Sequence, residues 1–137
     1  MEWVGEINDR HKNEFLGNAY ALLFPIDWPE PFGLVMIEAM ACGTPIVAYD
    51  RGSVPEVMEN GVTGFIVNEI EQAVEAVGRV RDLSRARCRE VFEKRFTASR
   101  MASDYVNAFM RLADSRMRKV AQSPESSLRS FQSAVAG

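Results

Sequence analysis

Short apolar runs alternate with segments of helical periodicity along most of the chain. The runs that are short enough to be strands are Glu2–Gly5, Ala21–Phe24, Ile46–Tyr49 and Phe65–Val67. Ala21–Phe24 is apolar throughout and stops at Pro25, which is typical of a strand buried on both faces. This alternation predicts an α/β fold built around a parallel sheet.

The helical segments carry recognisable start and stop signals. Asn8 is suited to cap a helix that runs to about Leu16. A second helix is predicted from Gly33 to Cys42, and Gly43 follows it in a position that favours a helix end. From about Glu69 onward the pattern is helical, with breaks near residues 78, 84 and 96. In the last helix an apolar stripe at a spacing of four predicts packing rather than chemistry; its members are Met101, Tyr105 and Phe109.

The length of 137 residues corresponds to one domain. We expect residues 1–112 to form the α/β domain, and residues 113–137 to hold the end of the last helix and a tail. Beyond Arg118 the chain is rich in Ser, Gln and Ala without a sustained period, which predicts weak order from about residue 120.

Composition and charge narrow the function classes. The net charge of −3 and the pI near 5.2 argue against a nucleic-acid-binding protein. No apolar run approaches the roughly 18 residues of a membrane span, and no signal-peptide pattern precedes the first run. We therefore expect a cytoplasmic location. Cys42 and Cys88 show no metal or redox spacing and are predicted to be free thiols.

The segment from Pro29 to Pro45 concentrates the candidate chemistry. Its predicted helix is almost wholly apolar, which predicts burial on all sides, and Glu38 is the one charge in it. A buried carboxylate without a partner is costly, so Glu38 either forms an ion pair or meets a ligand. Its side chain leans toward the first helical turn, beside Gly33, where free N–H groups receive phosphate or hydroxyl oxygens. Glu30 lies in the loop just before this turn; it faces the same space or is a solvated loop residue.

The spacing and the surrounding residues resemble a known family. Glu30, seven further residues and Glu38, within Glu-Pro-Phe-Gly-Leu-Val-Met-Ile-Glu-Ala-Met-Ala-Cys-Gly-Thr-Pro, resemble the E-x7-E signature of retaining GT-B glycosyltransferases of group 1. These are relatives of glycogen and sucrose synthases. The segments Asn18–Pro25, Arg51–Glu56 and Asn60–Val67 are also similar to theirs, so the resemblance covers roughly residues 2 to 112.

The resemblance implies a specific activity. It predicts a partial Rossmann-like C-terminal domain of a GT-B fold, and hence a partial nucleotide-sugar-binding domain over residues 1–112. The parent enzyme would transfer a hexose from a nucleotide diphosphate sugar to a glycan, lipid or small-molecule acceptor, with retention and without a metal ion or other cofactor. By the same resemblance, Glu38 would hold the ribose hydroxyls and Glu30 would lie at the reacting face as the catalytic residue. Backbone amides would meet the donor; they belong to Phe32, Gly33, Leu34 and Val35.

Three further features have mainly structural interpretations. Ser53 and Glu56 fit a capping box, although their loop could also touch the donor. His11, the one histidine, is predicted to lie on the surface. A basic run is interpreted as a solvated helix face, with peripheral association with the inner face of a membrane as the alternative; it comprises Arg79, Arg81, Arg85, Arg87 and Arg89.

The sequence departs from the family by what it lacks. The first domain and the opening strands of the second have no counterpart here, so we expect this chain alone to be incomplete as an enzyme. One alternative is a non-catalytic truncated α/β module that binds a partner or is vestigial. A second alternative is a subunit that is completed by a separately encoded first half. In the strand order usual for this fold, Glu2–Gly5 and Ala21–Phe24 would each lack a neighbour. An open sheet edge invites pairing, which predicts a homodimer or a swapped assembly.

Overall fold

A computed structural model describes residues 2–121 and the side chains of residues 2–118. It divides the chain into a compact unit, residues 1–97, and a second unit that begins at Ala98. The expected division after residue 112 falls inside the helix that opens the second unit. The expected weak order of the tail concerns residues that mostly lie outside the described part.

The first unit is a three-stranded parallel sheet with helices on both faces, which confirms the predicted fold class. The strands are β1 (Leu22–Phe24), β2 (Ile46–Tyr49) and β3 (Gly64–Val67), paired in the order β1-β2-β3. Its helices are α1 (Asp9–Asn18), α2 (Leu34–Ala41), α3 (Val54–Val57), α4 (Ile70–Arg79) and α5 (Arg85–Arg95), with a 3-10 turn over Val80–Asp82.

Two apolar clusters fill the two faces of the sheet. On one face α2 and α5 pack against β2 through residues that are almost fully buried, among them Met36, Met40, Ile46, Ala48 and Cys88. On the other face α4 and the 3-10 turn cover a second cluster of Val47, Phe65, Val67, Ala76 and Val80. Successive side chains of a strand point to opposite faces, so one short strand serves both clusters.

The cap of α1 is as predicted. The side chain of Asn8 accepts hydrogen bonds from the backbone N–H groups of Arg10 (3.1 Å) and His11 (3.3 Å). The ring of His11 also lies 3.0 Å from the Asn8 side-chain oxygen, and the residue is exposed, as expected. A polar cap on this turn satisfies N–H groups that the helix itself leaves free.

One strand prediction and one burial prediction are wrong. Residues 2–5 are not a strand, and Trp3 is 91% exposed. Since no strand lies beside this segment in the described chain, its backbone has no ladder to join. β1 is paired only with β2, and Leu23 is 59% exposed, so β1 is not buried on both faces.

Helix α2 is also less enclosed than its composition predicts. Met36, Ile37, Ala39 and Met40 are buried, but Leu34 is 64% exposed. The helix packs against the sheet, α5 and α1, and Leu34 is the exposed residue of its first turn.

The second unit begins with α6 (Ala98–Ala121). Within this helix the rings of Tyr105 and Phe109 stack, with centroids 6.4 Å apart and an interplanar angle of 27°. Met101, Tyr105 and Phe109 are each more than half exposed in the described chain, so the packing role of the stripe stays a prediction. Among the described residues, no helix is long and apolar enough to cross a membrane.

Candidate functional site

The candidate site lies at the carboxyl end of β1, where the chain turns into α2. Ligands of doubly wound folds bind at this edge of the sheet. Gly33 is the N-cap residue of α2 and has a left-handed backbone (φ 73°). This geometry turns the loop that carries Glu30 into the first turn of the helix.

The Glu30 carboxylate folds back on its own loop. One oxygen, Oε1, accepts the N–H of Gly33 at 3.1 Å, and Oε2 lies 3.3 Å from the indole nitrogen of Trp28. Glu30 thereby satisfies one of the N–H groups that a helix start leaves without a partner. The Glu30 side chain is partly buried and is held at the N-terminus of α2.

The N–H groups of Leu34 and Val35 have no acceptor within the described chain, whereas the N–H of Met36 already bonds to the carbonyl of Gly33 at 3.0 Å. Free N–H groups at a helix start favour anions and polar oxygens, because the helix dipole adds a partial positive charge there. The exposed apolar side chains of Phe32 and Leu34 border these groups.

Glu38 is half of an ion pair. Its Oε1 lies 2.9 Å from the Nζ of Lys12, which also contacts Asp9 at 3.0 Å. The hydrogen bond to Glu38, followed by the one to Asp9, raises the pKa of Lys12. Within the described chain Glu38 Oε2 has no hydrogen-bond partner, and the side chain is 37% exposed. Within the described chain no hydrogen bond joins Glu38 to Glu30.

Sequence reasoning missed Lys12. It lies on α1 and Glu38 lies on α2, and nothing in the spacing of residues 12 and 38 links them. Only the packing of α1 beside α2 brings the two charges together. Of the two partners that the sequence allowed for Glu38, the structure shows the ion pair.

The loop after β2 holds the Glu30 loop in place. The N–H of Ser53 donates to the carbonyl of Glu30 at 2.8 Å, and the guanidinium of Arg51 pairs with Asp27 at 3.2 Å. Gly52 (φ +52°) lies so close that an added Cβ would be 2.3 Å from the carbonyl oxygen of Glu30. The two loops at the carboxyl edge therefore behave as one packed unit.

The predicted capping box at Ser53 is wrong. The hydroxyl of Ser53 makes no hydrogen bond with a backbone N–H of α3, and the N–H of Glu56 bonds to the Ser53 carbonyl at 3.0 Å. The backbone of Ser53 is helical rather than extended, so its side chain does not take the capping position. Its buried Oγ has no partner within the described chain.

The basic run is not merely a solvated face. The guanidinium of Arg85 donates to the carbonyls of Gly17 (2.7 Å) and Ala19 (2.8 Å) and to the hydroxyl of Thr44 (2.8 Å). Arg89 donates to the carbonyl of Ala41. These side chains satisfy carbonyls at the ends of α1 and α2, where cations are favourable.

Both cysteines are free thiols, as predicted. Cys88 is fully buried between the sheet and α2, and burial raises its pKa to about 11. Among the described residues, no group of three or more His, Cys, Asp or Glu side chains is placed to hold a metal ion.

Comparison with known proteins identifies the family. Residues 1–95 match the model of the family described as glycosyl transferases group 1. The chain belongs to this family. A probable sucrose-phosphate synthase of Thermosipho melanesiensis is 39% identical over 82 residues, which cover 57% of this chain and 19% of that protein.

Solved structures place the fold among those of glycosyltransferases. The sucrose-phosphate synthase of Thermosynechococcus elongatus superposes with a TM-score of 0.68 and 28% identity, over 82% of this chain and 30% of that one. HepE of Anabaena, solved in complex with UDP, superposes with a TM-score of 0.63 and 25% identity, over 71% of this chain and 29% of its own. The chain therefore spans less than a third of the length of these relatives.

Proposed function

We propose that this chain forms part of the nucleotide-sugar site of a glycosyltransferase that moves a hexose from a nucleotide diphosphate sugar to an acceptor, with retention of configuration. The observation that carries the proposal is the family match over residues 1–95, which includes the whole segment from Glu30 to Glu38. Because the chain spans only part of its relatives, the activity is proposed for an enzyme that contains this domain.

The free amides at the start of α2 support a role in holding the donor. The N–H groups of Leu34 and Val35 would donate hydrogen bonds to phosphate or sugar oxygens of the donor. Phe32 and Gly33, which directly precede the helix, would border the bound donor. Glu38 Oε2 would accept hydrogen bonds from the ribose hydroxyls, at the strength of charge-assisted bonds. Lys12 occupies only the other oxygen, so the ion pair and this contact are compatible.

Glu30 would lie at the reacting face of the donor sugar. Its carboxylate is already fixed by Gly33 and Trp28, and a fixed charge stabilises a developing positive charge without further reorganisation. We propose that transfer requires no metal ion from this chain and that phosphate oxygens help to activate the acceptor. The acceptor would be a glycan, a lipid or a small molecule, and the enzyme would act in the cytoplasm.

One observation favours a second function. The ion pair between Lys12 and Glu38 gives the carboxylate a structural role that needs no ligand. In this alternative the chain is a non-catalytic α/β module.

Titration of UDP, GDP and ADP into the ¹⁵N-labelled chain, followed by NMR, distinguishes the two functions. We expect one nucleotide to shift the amides of Leu34 and Val35 with a dissociation constant of about 1 mM or weaker, since part of the site is contributed elsewhere in the relatives. Glu38→Gln should abolish the shifts, whereas Glu71→Gln, on an exposed turn of α4, should leave them unchanged. Shifts that survive Glu38→Gln would contradict the role given to Glu38. No shifts from any nucleotide in a folded chain would contradict the proposed site and favour the alternative.

A further inference from the structure

Lys12 and Glu38 are held near each other by more than their own ion pair. Thr44 follows α2 and is fully buried, and it is hydrogen-bonded to both helices. Its backbone N–H donates to the carbonyl of Ala39 at 2.8 Å, next to Glu38 on α2. Its hydroxyl donates to the carbonyl of Leu16 at 2.6 Å, one turn beyond Lys12 on α1. One buried residue therefore fixes the spacing of the two helices close to the ion pair.

Helix α1, which carries Lys12, is fixed at both of its ends. The side chain of Asn8 caps its first turn. At its last turn the guanidinium of Arg85 donates to two carbonyls and, at 2.8 Å, to the hydroxyl of Thr44. Residues four apart lie on the same face of a helix, so Lys12 is on the face of the buried Leu16. The backbone of Lys12 is therefore held in place relative to α2.

The ammonium group of Lys12 bridges two carboxylates. Its Nζ lies 2.9 Å from Glu38 Oε1 and 3.0 Å from Asp9 Oδ1, three residues earlier on the same helix. The side chain of Asp9 is 96% exposed, whereas those of Lys12 and Glu38 are 31% and 37% exposed. An isolated pair at the surface orders its side chains only weakly. Here the fixed helices and the second carboxylate restrict Lys12, so Glu38 meets a cation whose position is already set.

We propose that Lys12 is a positioning residue for the nucleotide sugar: it binds Glu38 Oε1 and holds the carboxylate so that Oε2 is left for the ribose hydroxyls. This inference rests on the proposed function, which assigns the ribose contact to Glu38. A carboxylate that is already ordered loses less conformational freedom when a ligand binds. Lys12 acts on the nucleotide only through Glu38, and the ion pair is then part of the site.

The pKa of Lys12, followed by NMR through its side-chain carbon resonances, tests the contact in the full chain without any nucleotide. The hydrogen bond to Glu38 raises this pKa more than the hydrogen bond to Asp9 does. We therefore expect Glu38→Gln to lower the pKa of Lys12 by more than Asp9→Asn does. A pKa of Lys12 that Glu38→Gln leaves unchanged would overturn the proposal, because Lys12 would then not hold Glu38.

Nucleotide affinity tests the consequence of the contact. For whichever of UDP, GDP and ADP binds the parent chain, Lys12→Met should raise the dissociation constant about three- to tenfold, since Glu38 must then be ordered on binding. Lys12→Arg keeps the charge and can reach Glu38, so it should restore most of the affinity. Arg10→Met is the matched control, because it removes a positive charge from an exposed position of the same helix. It should leave the dissociation constant unchanged.

Urea unfolding separates a positioning role from a structural one. A partly exposed pair contributes little to stability, so Lys12→Met should keep the unfolding curve of the parent chain. Equal affinity of the parent and Lys12→Met, or equal losses in Lys12→Met and Arg10→Met, would overturn this proposal and leave the proposed function standing. So would a loss of affinity that Lys12→Arg does not restore. If no nucleotide binds the folded parent chain, the proposed function fails and this inference fails with it.

Discussion

The contact between Gly52 and the Glu30 loop makes Gly52→Ala the most informative single substitution. An alanine Cβ would lie 2.3 Å from the carbonyl oxygen of Glu30, 2.5 Å from its nitrogen and 2.7 Å from the carbonyl carbon of Pro29. All three atoms belong to the backbone, so no flexible side chain can move aside. The Glu30 loop must shift by about 1 Å to reach an ordinary van der Waals distance.

Two effects add in this variant. Alanine at a left-handed φ costs about 1–2 kcal/mol in any protein. The forced displacement adds about 1–3 kcal/mol, the range for overpacking, and weakens the 2.8 Å bond between the Ser53 N–H and Glu30. We therefore expect Gly52→Ala to lower the free energy of unfolding by about 2–5 kcal/mol, the sum of these terms.

Gly61→Ala separates the two effects. Gly61 has a similar φ of +76°, but an added Cβ would meet no atom within 4 Å. Urea unfolding should show the smaller loss, about 1–2 kcal/mol, for this control. Amide spectra of Gly52→Ala should show shifts at Glu30 and Gly33 that Gly61→Ala does not produce. Equal losses in the two variants, with the Gly33 amide unmoved, would refute the inference that the loop after β2 positions Glu30.

Three other predictions concern Arg85 and the two cysteines. Arg85→Met should lower the free energy of unfolding by about 1–3 kcal/mol in urea titrations, because it removes three hydrogen bonds; an effect no larger than that of Arg81→Met, at an exposed residue, would contradict this role. The pKa of Cys88 is raised from an ordinary 9.0 to about 11 in the folded chain. Between pH 9.0 and about pH 11 the unfolded chain therefore releases a proton that the folded chain keeps. Stability should therefore fall by about 1.4 kcal/mol per pH unit between these values, and Cys88→Ala should lose that slope. The same burial should leave Cys42 as the thiol that reacts with a disulfide reagent in the folded chain; reaction of both thiols at equal rates would contradict it.

Alternation of short apolar runs with helical patterns was enough to predict a parallel α/β sheet, although it also predicted a strand over residues 2–5 that the structure does not show. The cap at Asn8 and the boundaries of β2 were also predictable, since both depend on residues close together in sequence. The Glu30 to Glu38 spacing, together with the residues around it, indicated the family, which the match over residues 1–95 confirms. The roles of these two carboxylates stay predictions.

Only the tertiary structure decided which residues form the hydrogen bonds and ion pairs of the candidate site. Lys12 meets Glu38, Ser53 donates its N–H to Glu30, and Arg85 reaches the end of α1, although each pair is widely separated along the chain. A local sequence pattern indicates whether a segment favours helix or strand and which of its faces is apolar. A long-range hydrogen bond depends instead on how the helices and strands pack against each other. Residues 2–5 show the same limit, because their strand-like sequence has no ladder to join. An isolated strand leaves its backbone groups to water, so neighbours determine whether an apolar run becomes a strand.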